Sequence, residues 1–253
     1  RGYIMSKNAE KIVYKTESIC PICLKRILAK RVKRGKDIYI VKDCPEHGKF
    51  DTILWRGKPY YEDWVRKTEK ALPQKSITES VHGCPFDCGL CPEHEQQACC
   101  VLLEITQNCN QNCHYCFASA GNKKTKDPSI EKIREWYQTL LEIGEKDRPF
   151  NIQISGGEPT VRDDLDEIIM LGKTLGFPYI QLNTNGKRLA EDPHYVEKLK
   201  RAGLSAVFLQ FDGTADEIYK ILRGQNLLAQ KRKAIENCGK NQIGVVLVPT
   251  LVP

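Results

Sequence analysis

The distribution of cysteines constrains this chain more than any other feature of its sequence. The chain has 253 residues and twelve cysteines, and eleven of the twelve lie within the first 116 residues. Residues 1–11 contain no apolar stretch of the kind that a secretory signal has, so we expect a cytoplasmic protein. In a reducing compartment clustered cysteines bind metals more often than they pair as disulfides. The sequence therefore predicts a first half that is organised around metal sites.

Two short motifs near the N-terminus have the spacing of a mononuclear metal site. Cys20 and Cys23 are separated by two residues, and so are Cys44 and His47. Zinc and rubredoxin-type iron both accept this spacing, and the fourth ligand is either His47 or a later cysteine such as Cys84. Four short strand-forming segments surround the motifs, at residues 11–14, 25–32, 37–41 and 50–55. We expect a small β-ribbon metal-binding domain over residues 1–80, with a helix over residues 59–71.

A second group of cysteines occupies residues 81–100, where proline and acidic residues disfavour regular structure. Three of them have a spacing of three and then two intervening residues, and a cysteine pair follows closely. Four thiolates on one short segment are sufficient for an auxiliary 4Fe–4S cluster, with zinc as the alternative metal. The candidate ligands are Cys84, Cys88 and Cys91, together with Cys99 or Cys100.

From residue 101 onward, apolar segments alternate with amphipathic ones. The pattern predicts strands at residues 101–106, 150–155, 179–183, 206–211 and 243–249, and helices at residues 129–144, 162–176, 193–202 and 227–237. Such alternation is typical of an α/β fold with a parallel sheet, because each right-handed crossover returns the chain to a neighbouring parallel strand. Sites in these folds lie at the carboxyl ends of the strands. Cys238, on the last of these helices, is expected to be a buried core thiol.

The net charge of +7 arises in the N-terminal third of the chain. Residues 1–80 contain 19 Lys and Arg against 10 Asp and Glu, and residues 30–36 are the densest basic stretch. Gly35 lies where a hairpin would turn, and we expect a solvated hairpin tip. A nucleic acid or an anionic lipid headgroup is the alternative partner. No aromatic residue lies between Lys30 and Lys36, so we expect no nucleic acid, and a metal-stabilised nucleic-acid-binding module remains the minor alternative.

The third group of cysteines directly follows the first predicted strand of the α/β region. Cys109, Cys113 and Cys116 are separated by three and by two residues. Three thiolates on one loop bind three irons of a 4Fe–4S cluster and leave the fourth iron open to another ligand. A further cysteine such as Cys99 or Cys100 would close that position and make the cluster structural.

Further motifs at successive strand ends carry a family resemblance. They are Tyr115 just before the last cysteine, Gly156-Gly157-Glu158-Pro159 after the second strand, Asn183-Thr184-Asn185-Gly186 after the third, and Gln210-Phe211-Asp212-Gly213 after the fourth. In this order they resemble the radical S-adenosylmethionine (SAM) superfamily. The resemblance implies a partial (β/α) barrel over residues 101–253 in which SAM chelates the open iron and yields a 5′-deoxyadenosyl radical.

The same resemblance implies roles for individual residues. It implies that the motif beginning at Gly156 engages the methionyl amino group, and that Asn183 and Gln210 mark positions that contact the ribose and the methionyl carboxylate. Gln210 departs from the hydroxyl residue that related enzymes often carry there.

The order of the three metal-binding regions also resembles the archaeal tetraether lipid synthases. That resemblance implies an enzyme that removes hydrogen from unactivated methyl groups and joins isoprenoid chain ends of diether phospholipids. It also implies a reductant such as ferredoxin or flavodoxin, and a peripheral contact with the membrane. Members of that family are longer than this chain, so we expect sequence beyond residue 253.

Similar sequences include radical SAM C-methyltransferases of pterins, which use a reduced folate-like carbon donor, and this is the alternative function. The lipid function requires a long apolar tunnel, whereas the pterin function requires a compact polar pocket.

Overall fold

A computed structural model describes residues 10–65, 75–83, 86–87, 91–92, 94, 98–116, 118–120, 125–144 and 149–252. The chain forms two compact units, Arg1–Gln97 and Ala98–Pro253. The three-part division predicted at residues 80 and 100 stays a prediction, because much of 81–100 lies outside the described residues. Within the described part, no helix combines the length and the apolar character that crossing a membrane requires.

The first unit contains an antiparallel sheet of four strands in sequential order. The strands are β1 (Lys11–Ile19), β2 (Arg26–Arg34), β3 (Asp37–Cys44) and β4 (Gly48–Trp55), and a short helix α1 (Tyr61–Trp64) follows. The turn between β2 and β3 contains Gly35, whose φ of 63° lies in the left-handed region that glycine adopts most easily. The predicted β-ribbon is confirmed, with strands longer than expected. Residues 66–71 of the predicted helix lie outside the described residues.

The basic stretch on β2 is more than a solvated hairpin tip, because strand pairing brings acidic and aromatic residues beside it. Arg34 lies 2.5 Å from Asp51 and 2.6 Å from Glu10, and its guanidinium carbon lies 4.6 Å from the centroid of the Tyr39 ring. Lys33 lies 2.5 Å from Glu62. Residues distant in sequence supply these contacts, so the basic run alone did not predict them.

The second unit contains a parallel sheet of five strands, again in sequential order. The strands are β5 (Cys100–Thr106), β6 (Asn151–Gly156), β7 (Ile180–Thr184), β8 (Ala206–Gln210) and β9 (Gly244–Val248). The helices are α2 (Ile130–Ile143), α3 (Leu165–Thr174), α4 (Lys187–Glu191), α5 (Pro193–Arg201), α6 (Asp216–Arg223) and α7 (Leu228–Lys240). Sequential parallel order with crossovers of one hand places the helices on one face of the sheet, as in a barrel. The predicted α/β fold is confirmed.

Local capping explains where the helices begin. Ser129 accepts a hydrogen bond from the backbone N–H of Lys132 at the start of α2, and Asp192 accepts one from Tyr195 at the start of α5. The helix expected from residue 162 begins at Leu165, because Pro159–Val161 forms a separate 3₁₀ turn. Helices α4 and α6 were not predicted, since each spans little more than one or two turns.

The core of the second unit lies between the sheet and its helices. Alternate strand residues such as Ile105, Ile154, Leu182 and Leu209 are fully buried there with helix residues, and Cys238 lies among them as predicted. The other strand residues point to the opposite face of the sheet, which we call the inner face. It carries residues 100, 102, 104, 151, 153, 155, 181, 183, 206, 208, 210, 246 and 248.

Candidate active site

The loop that carries Cys109, Cys113 and Cys116 leaves the carboxyl end of β5 and is fixed at its base. Asn108 donates from Nδ2 to the carbonyl of Thr125 at 2.9 Å, and its Oδ1 accepts from the N–H of Thr125 at 3.0 Å. These two bonds bring together residues 17 positions apart in the chain and close the loop between them.

Two glycines at the carboxyl end of β6 allow its backbone to lie against the start of the cysteine loop. A Cβ on Gly156 would lie 2.0 Å from the carbonyl oxygen of Thr106, and one on Gly157 would lie 2.3 Å from that of Asn108. The backbone N–H groups of Gly157 and Glu158 donate to these same oxygens at 2.8 and 2.9 Å. Any side chain at either position would separate the two loops.

The Glu158 side chain connects the loops that follow β6 and β7. It is 1% exposed, and its carboxylate accepts bonds from the hydroxyls of Thr160 and Thr184 at 2.7 Å each and from the N–H of Asn185 at 2.6 Å. Buried carboxylates are stable only with such partners. In the structure the carboxylate therefore positions its neighbours, and the main chain of this motif faces the cavity.

A buried polar network lies behind Gln210. The Asp212 side chain is fully buried and accepts bonds from Arg223 Nε at 2.8 Å and Nη2 at 2.9 Å. Gln210 donates to Asp212 and accepts a bond from Lys231 Nζ at 3.0 Å, and Lys231 also donates to the carbonyl of Asn185. Burial lowers the pKa of Lys231 to about 8. Sequence reasoning missed Arg223 and Lys231, because a cation on an amphipathic helix usually faces solvent.

Further polar side chains extend from this network along the inner face of the sheet. Gln153 donates from Nε2 to Asn183 Oδ1 at 2.6 Å, and Asn183 Nδ2 lies 3.4 Å from the hydroxyl of Ser155. The Cys100 thiol lies 3.8 Å from Gln153 Oε1 and 3.9 Å from Gln181 Nε2. The glutamines and Ser155 were not predicted as site residues, although strict alternation along β6 and β7 places them beside Asn183.

These elements enclose one cavity of about 280 Å³. The structure brings together at this cavity all of the residues predicted for the SAM site, together with Ser155, Gln153, Phe208 and Arg223. The predicted residues are Cys109, Cys113, Tyr115, Cys116, Gly156, Gly157, Glu158, Asn183 and Gln210. Their individual cofactor contacts stay predictions.

Four side chains of the first unit form a separate metal-binding arrangement. The ligand atoms of Cys20, Cys23, Cys44 and His47 all lie within 4.8 Å of one another. His47 Nδ1 lies 3.7 Å from the sulfur of Cys20 and 3.6 Å from that of Cys44, and the sulfurs of Cys23 and Cys44 are 3.9 Å apart. A tetrahedral zinc ion with Zn–S bonds of about 2.3 Å places its ligand atoms roughly 3.5–3.8 Å apart. The four side chains therefore fit one tetrahedral ion, with His47 as the fourth ligand.

Comparisons with known proteins agree with both sites. A family model described as "Radical SAM superfamily" matches residues 103–253, which is more than half of the chain. The chain belongs to the radical SAM superfamily. A second model, "HMPTM N-terminal zinc ribbon domain", matches residues 12–56 of this radical SAM enzyme. Membership of this superfamily favours an enzyme over the metal-stabilised nucleic-acid-binding module, and the expectation of no nucleic acid stays a prediction.

One curated relative matches across both units. The "7,8-dihydro-6-hydroxymethylpterin dimethyltransferase" of Methanocaldococcus jannaschii is 45% identical over 242 residues, which is 94% of this chain and 47% of the relative. A "Probable GTP 3',8-cyclase" of Methanococcus aeolicus is 37% identical over 152 residues, covering 56% of this chain and 48% of that protein. A solved structure described as "Native anSMEcpe with bound AdoMet" is 22% identical with a TM-score of 0.49, covering 59% of this chain and 43% of that one. The chain spans about half the length of the curated relatives it matches.

The donor set of this radical SAM enzyme fits its 4Fe–4S cluster and SAM. Among the described residues, the ligand atoms that all lie within 4.8 Å of one another are those of the zinc ribbon, whereas the three loop thiols do not form such a group. Burial, with the charges of Glu158, Cys113 and Cys116, raises the pKa of Cys109 to about 11. Iron binding at this loop must therefore displace a proton from the thiol.

The predicted auxiliary cluster stays a prediction. Cys84 and Cys88 lie outside the described residues. Cys91 belongs to the first unit and Cys99 to the second, and the Cys100 thiol contacts the amides of Gln153 and Gln181 on the inner face.

Proposed function

We propose that this chain is the SAM-cleaving part of a C-methyltransferase that acts on a reduced pterin. The observation that carries the proposal is that one pterin dimethyltransferase is 45% identical to this chain across both the zinc ribbon and the radical SAM region. Resemblance of the SAM motifs alone would support any reaction of the superfamily, because function resides in the substrate site rather than in the fold. Similarity that continues through the N-terminal ribbon favours the pterin alternative over the joining of lipid chains.

The character of the cavity supports the same substrate class. A tunnel for an isoprenoid tail is lined by apolar side chains alone, whereas the described part of this cavity carries Gln153, Ser155 and Asn183 beside apolar side chains such as Phe208 and Val248. Buried amides and hydroxyls need hydrogen-bond partners, and a saturated hydrocarbon provides none. A heterocycle with ring nitrogens and an amino group provides several.

The residues of the chain have separate tasks in this reaction. When bound, the cluster and SAM supply a 5′-deoxyadenosyl radical that removes a hydrogen atom from a substrate C–H bond. Asn108 and the two glycines at 156 and 157 fix the cysteine loop against the end of β6. Lys231 and Asp212 hold the Gln210 amide in one orientation. The inner face of the sheet then positions the substrate beside them. As partners we propose a one-electron reductant such as ferredoxin or flavodoxin, and no nucleic acid.

The proposal is tested by an anaerobic reaction of the cluster-loaded protein with SAM, a strong reductant, 7,8-dihydro-6-hydroxymethylpterin and a reduced folate-like carbon donor. We expect a pterin product heavier by one or two methyl groups, formed together with 5′-deoxyadenosine. A parallel reaction contains archaeal diether phospholipid in place of the pterin. Joined lipid chains in that reaction, with an unchanged pterin in the first, would overturn the proposal in favour of tetraether lipid synthesis at a membrane surface.

A further inference from the structure

Gln153, Ser155 and Asn183 form a polar half of the inner face, while β5 and β8 carry the apolar side chains Leu102 and Phe208 beside polar ones such as Gln210. Gln153 and Ser155 lie two residues apart on β6, and both line the cavity. Phe208 on β8 lines it from the other side, next to Val246 on β9 in the strand register. The strand between them, β7, places Asn183 directly beside Phe208. A ligand on this face therefore meets hydrogen-bonding groups along one edge and an aromatic ring along another.

The polar half has unused hydrogen-bonding capacity. The Gln153 amide donates one bond to Asn183 Oδ1 at 2.6 Å, which fixes its orientation. An amide has two N–H donors and an oxygen with two lone pairs. The Cys100 thiol lies 3.8 Å from that oxygen, so one N–H and one lone pair of Gln153 stay open. The Ser155 hydroxyl has only a long contact of 3.4 Å from Asn183 Nδ2, and its own hydrogen can be donated elsewhere.

The chemistry of the ligand follows from this arrangement. Donor and acceptor atoms side by side match the pyrimidine edge of a pterin, which carries an amino group, a ring N–H and a carbonyl. The flat ring of the same ligand has an aromatic surface that packs favourably on a phenylalanine. An isoprenoid tail would leave the remaining donors and acceptors of Gln153 and Ser155 without partners, which costs free energy at each group.

We infer that Gln153 and Ser155 recognise the hydrogen-bonding edge of a reduced pterin while Phe208 contacts its ring. The inference rests on the proposed function and names the residues that select the substrate. Asn183 fixes the Gln153 side chain from the neighbouring strand, so the two amides act as a preorganised pair.

Equilibrium binding of 7,8-dihydro-6-hydroxymethylpterin to the SAM-loaded protein tests this inference. We expect Gln153→Leu and the closer-sized Gln153→Met to weaken pterin binding roughly 10- to 100-fold, and Ser155→Ala to weaken it roughly 3- to 10-fold. Cluster absorption should be unchanged in all three variants. Any loss of SAM affinity should be smaller than the loss of pterin affinity, although Gln153 and Ser155 also contact Asn183, which is predicted to bind SAM. The matched control is Gln138→Leu, because Gln138 lies on the exposed side of α2, and it should bind pterin like the wild type.

A ligand series tests the same point without altering the protein. The corresponding lumazine has a carbonyl in place of the amino group, and we expect the wild type to bind it at least about tenfold more weakly than the pterin. In Gln153→Met the difference in affinity between the two ligands should shrink, since the side chain that hydrogen-bonds to the pyrimidine edge is absent. Equal affinity of the wild type for both ligands would overturn the inference.

The outcomes separate the inference from the proposed function. Pterin methylation by the wild type, with unchanged pterin affinity in the Gln153 and Ser155 variants, overturns only the assignment of these residues. Failure of the wild type to bind or methylate pterin, with joining of lipid chains instead, overturns the proposed function itself. A loss of pterin affinity that exceeds any loss of SAM affinity supports both.

Discussion

The ribbon and the loop after β5 each carry three cysteines, but the two regions hold them in different ways. On the zinc ribbon, two short turns bring Cys20, Cys23, Cys44 and His47 to within 4.8 Å of one another. After β5, one loop carries Cys109, Cys113 and Cys116 along the wall of a cavity. Four converging ligands fill the coordination shell of a tetrahedral ion and leave no position for a substrate. Three ligands beside a cavity leave a position open. The number of ligands and their convergence therefore separate a structural metal from a catalytic one.

The two sets also differ in the environment of the thiols. Although burial opposes ionisation, N–H groups of Cys23 and Ile22 and the neighbouring thiols lower the pKa of Cys20 to about 6. Burial raises the pKa of Cys109 to about 11. Within the ribbon the lowering does not extend to Cys23: although the backbone N–H of Lys25 opposes them, burial and the neighbouring Cys20 thiolate raise the pKa of Cys23.

The two ligand sets are independent if removal of one set leaves the metal of the other in place. We expect Cys113→Ala to abolish 5′-deoxyadenosine formation, because two thiolates cannot hold the cluster, while the ribbon metal stays bound. Cys44→Ala should release the ribbon metal and leave the absorption of the SAM-binding cluster in place. The ribbon metal, the cluster absorption and the 5′-deoxyadenosine formed are measured in both variants. Retained 5′-deoxyadenosine in Cys113→Ala would show that another residue holds the cluster.

A smaller effect is expected where the cysteine loop is supported rather than removed. Gly157→Ala places a Cβ 2.3 Å from the Asn108 carbonyl, so the end of β6 must move away from the loop. We expect a loss of roughly 2–4 kcal/mol in the free energy of unfolding. Displacement of the loop should lower the rate of SAM cleavage roughly 100-fold. Denaturant unfolding and single-turnover SAM cleavage measure these effects.

Gly239→Ala is the control for this variant. Gly239 lies in α7, and a Cβ there meets no atom within 4 Å. The substitution should stabilise the protein by roughly 0.5–1 kcal/mol, because alanine favours the helix. Equal effects of the two substitutions would mean that the close approach at Gly157 does not support the loop.

The sequence predicted those parts of the molecule that depend on local pattern. Period-two and helical patterns located the five parallel strands, and motif order located Cys109, Gly156 and Gln210 at one cavity. Helix α6 escaped prediction because it spans only residues 216–223, although Gly224 at φ 73° marks its end. Arg223 lies on that helix, so its contact with Asp212 was not predicted either.

Local sequence patterns could not predict the residues of the inner face or the choice of substrate. A glutamine on a strand has the same appearance whether it faces solvent or a cavity, and strand register decides which of the two applies. Gln153 and Gln181 become neighbours only when β6 pairs with β7. The order of the three metal-binding regions led to the lipid-joining prediction, although those regions bind metals and the cofactor and carry no information on the substrate.

The smallest expected effect concerns the lysines next to the two sites. Lys25, beside the ribbon ligands, is exposed and pairs with Glu46, whereas Lys231 is 1% exposed beneath the cavity. Burial lowers the pKa of Lys231 from 10.5 to about 8. The unfolded chain keeps this proton up to a higher pH than the folded one, so unfolding takes up a proton between about pH 8 and pH 10.5. The free energy of unfolding should therefore rise with pH across this window, by roughly 3 kcal/mol at most.

Comparison of the wild type with Lys231→Met isolates this contribution, because all other titrating groups are common to both proteins. The stability of the wild type relative to Lys231→Met should increase from pH 8 to pH 10, as measured by denaturant unfolding at each pH. In Lys25→Met, the control, the difference from wild type should not grow in this direction, because a solvated ion pair contributes little. A parallel pH dependence of the wild type and Lys231→Met would mean that Lys231 keeps an ordinary pKa. Lys231 would then titrate like an exposed lysine such as Lys25, and the lysines next to the two sites would not differ in their pKa.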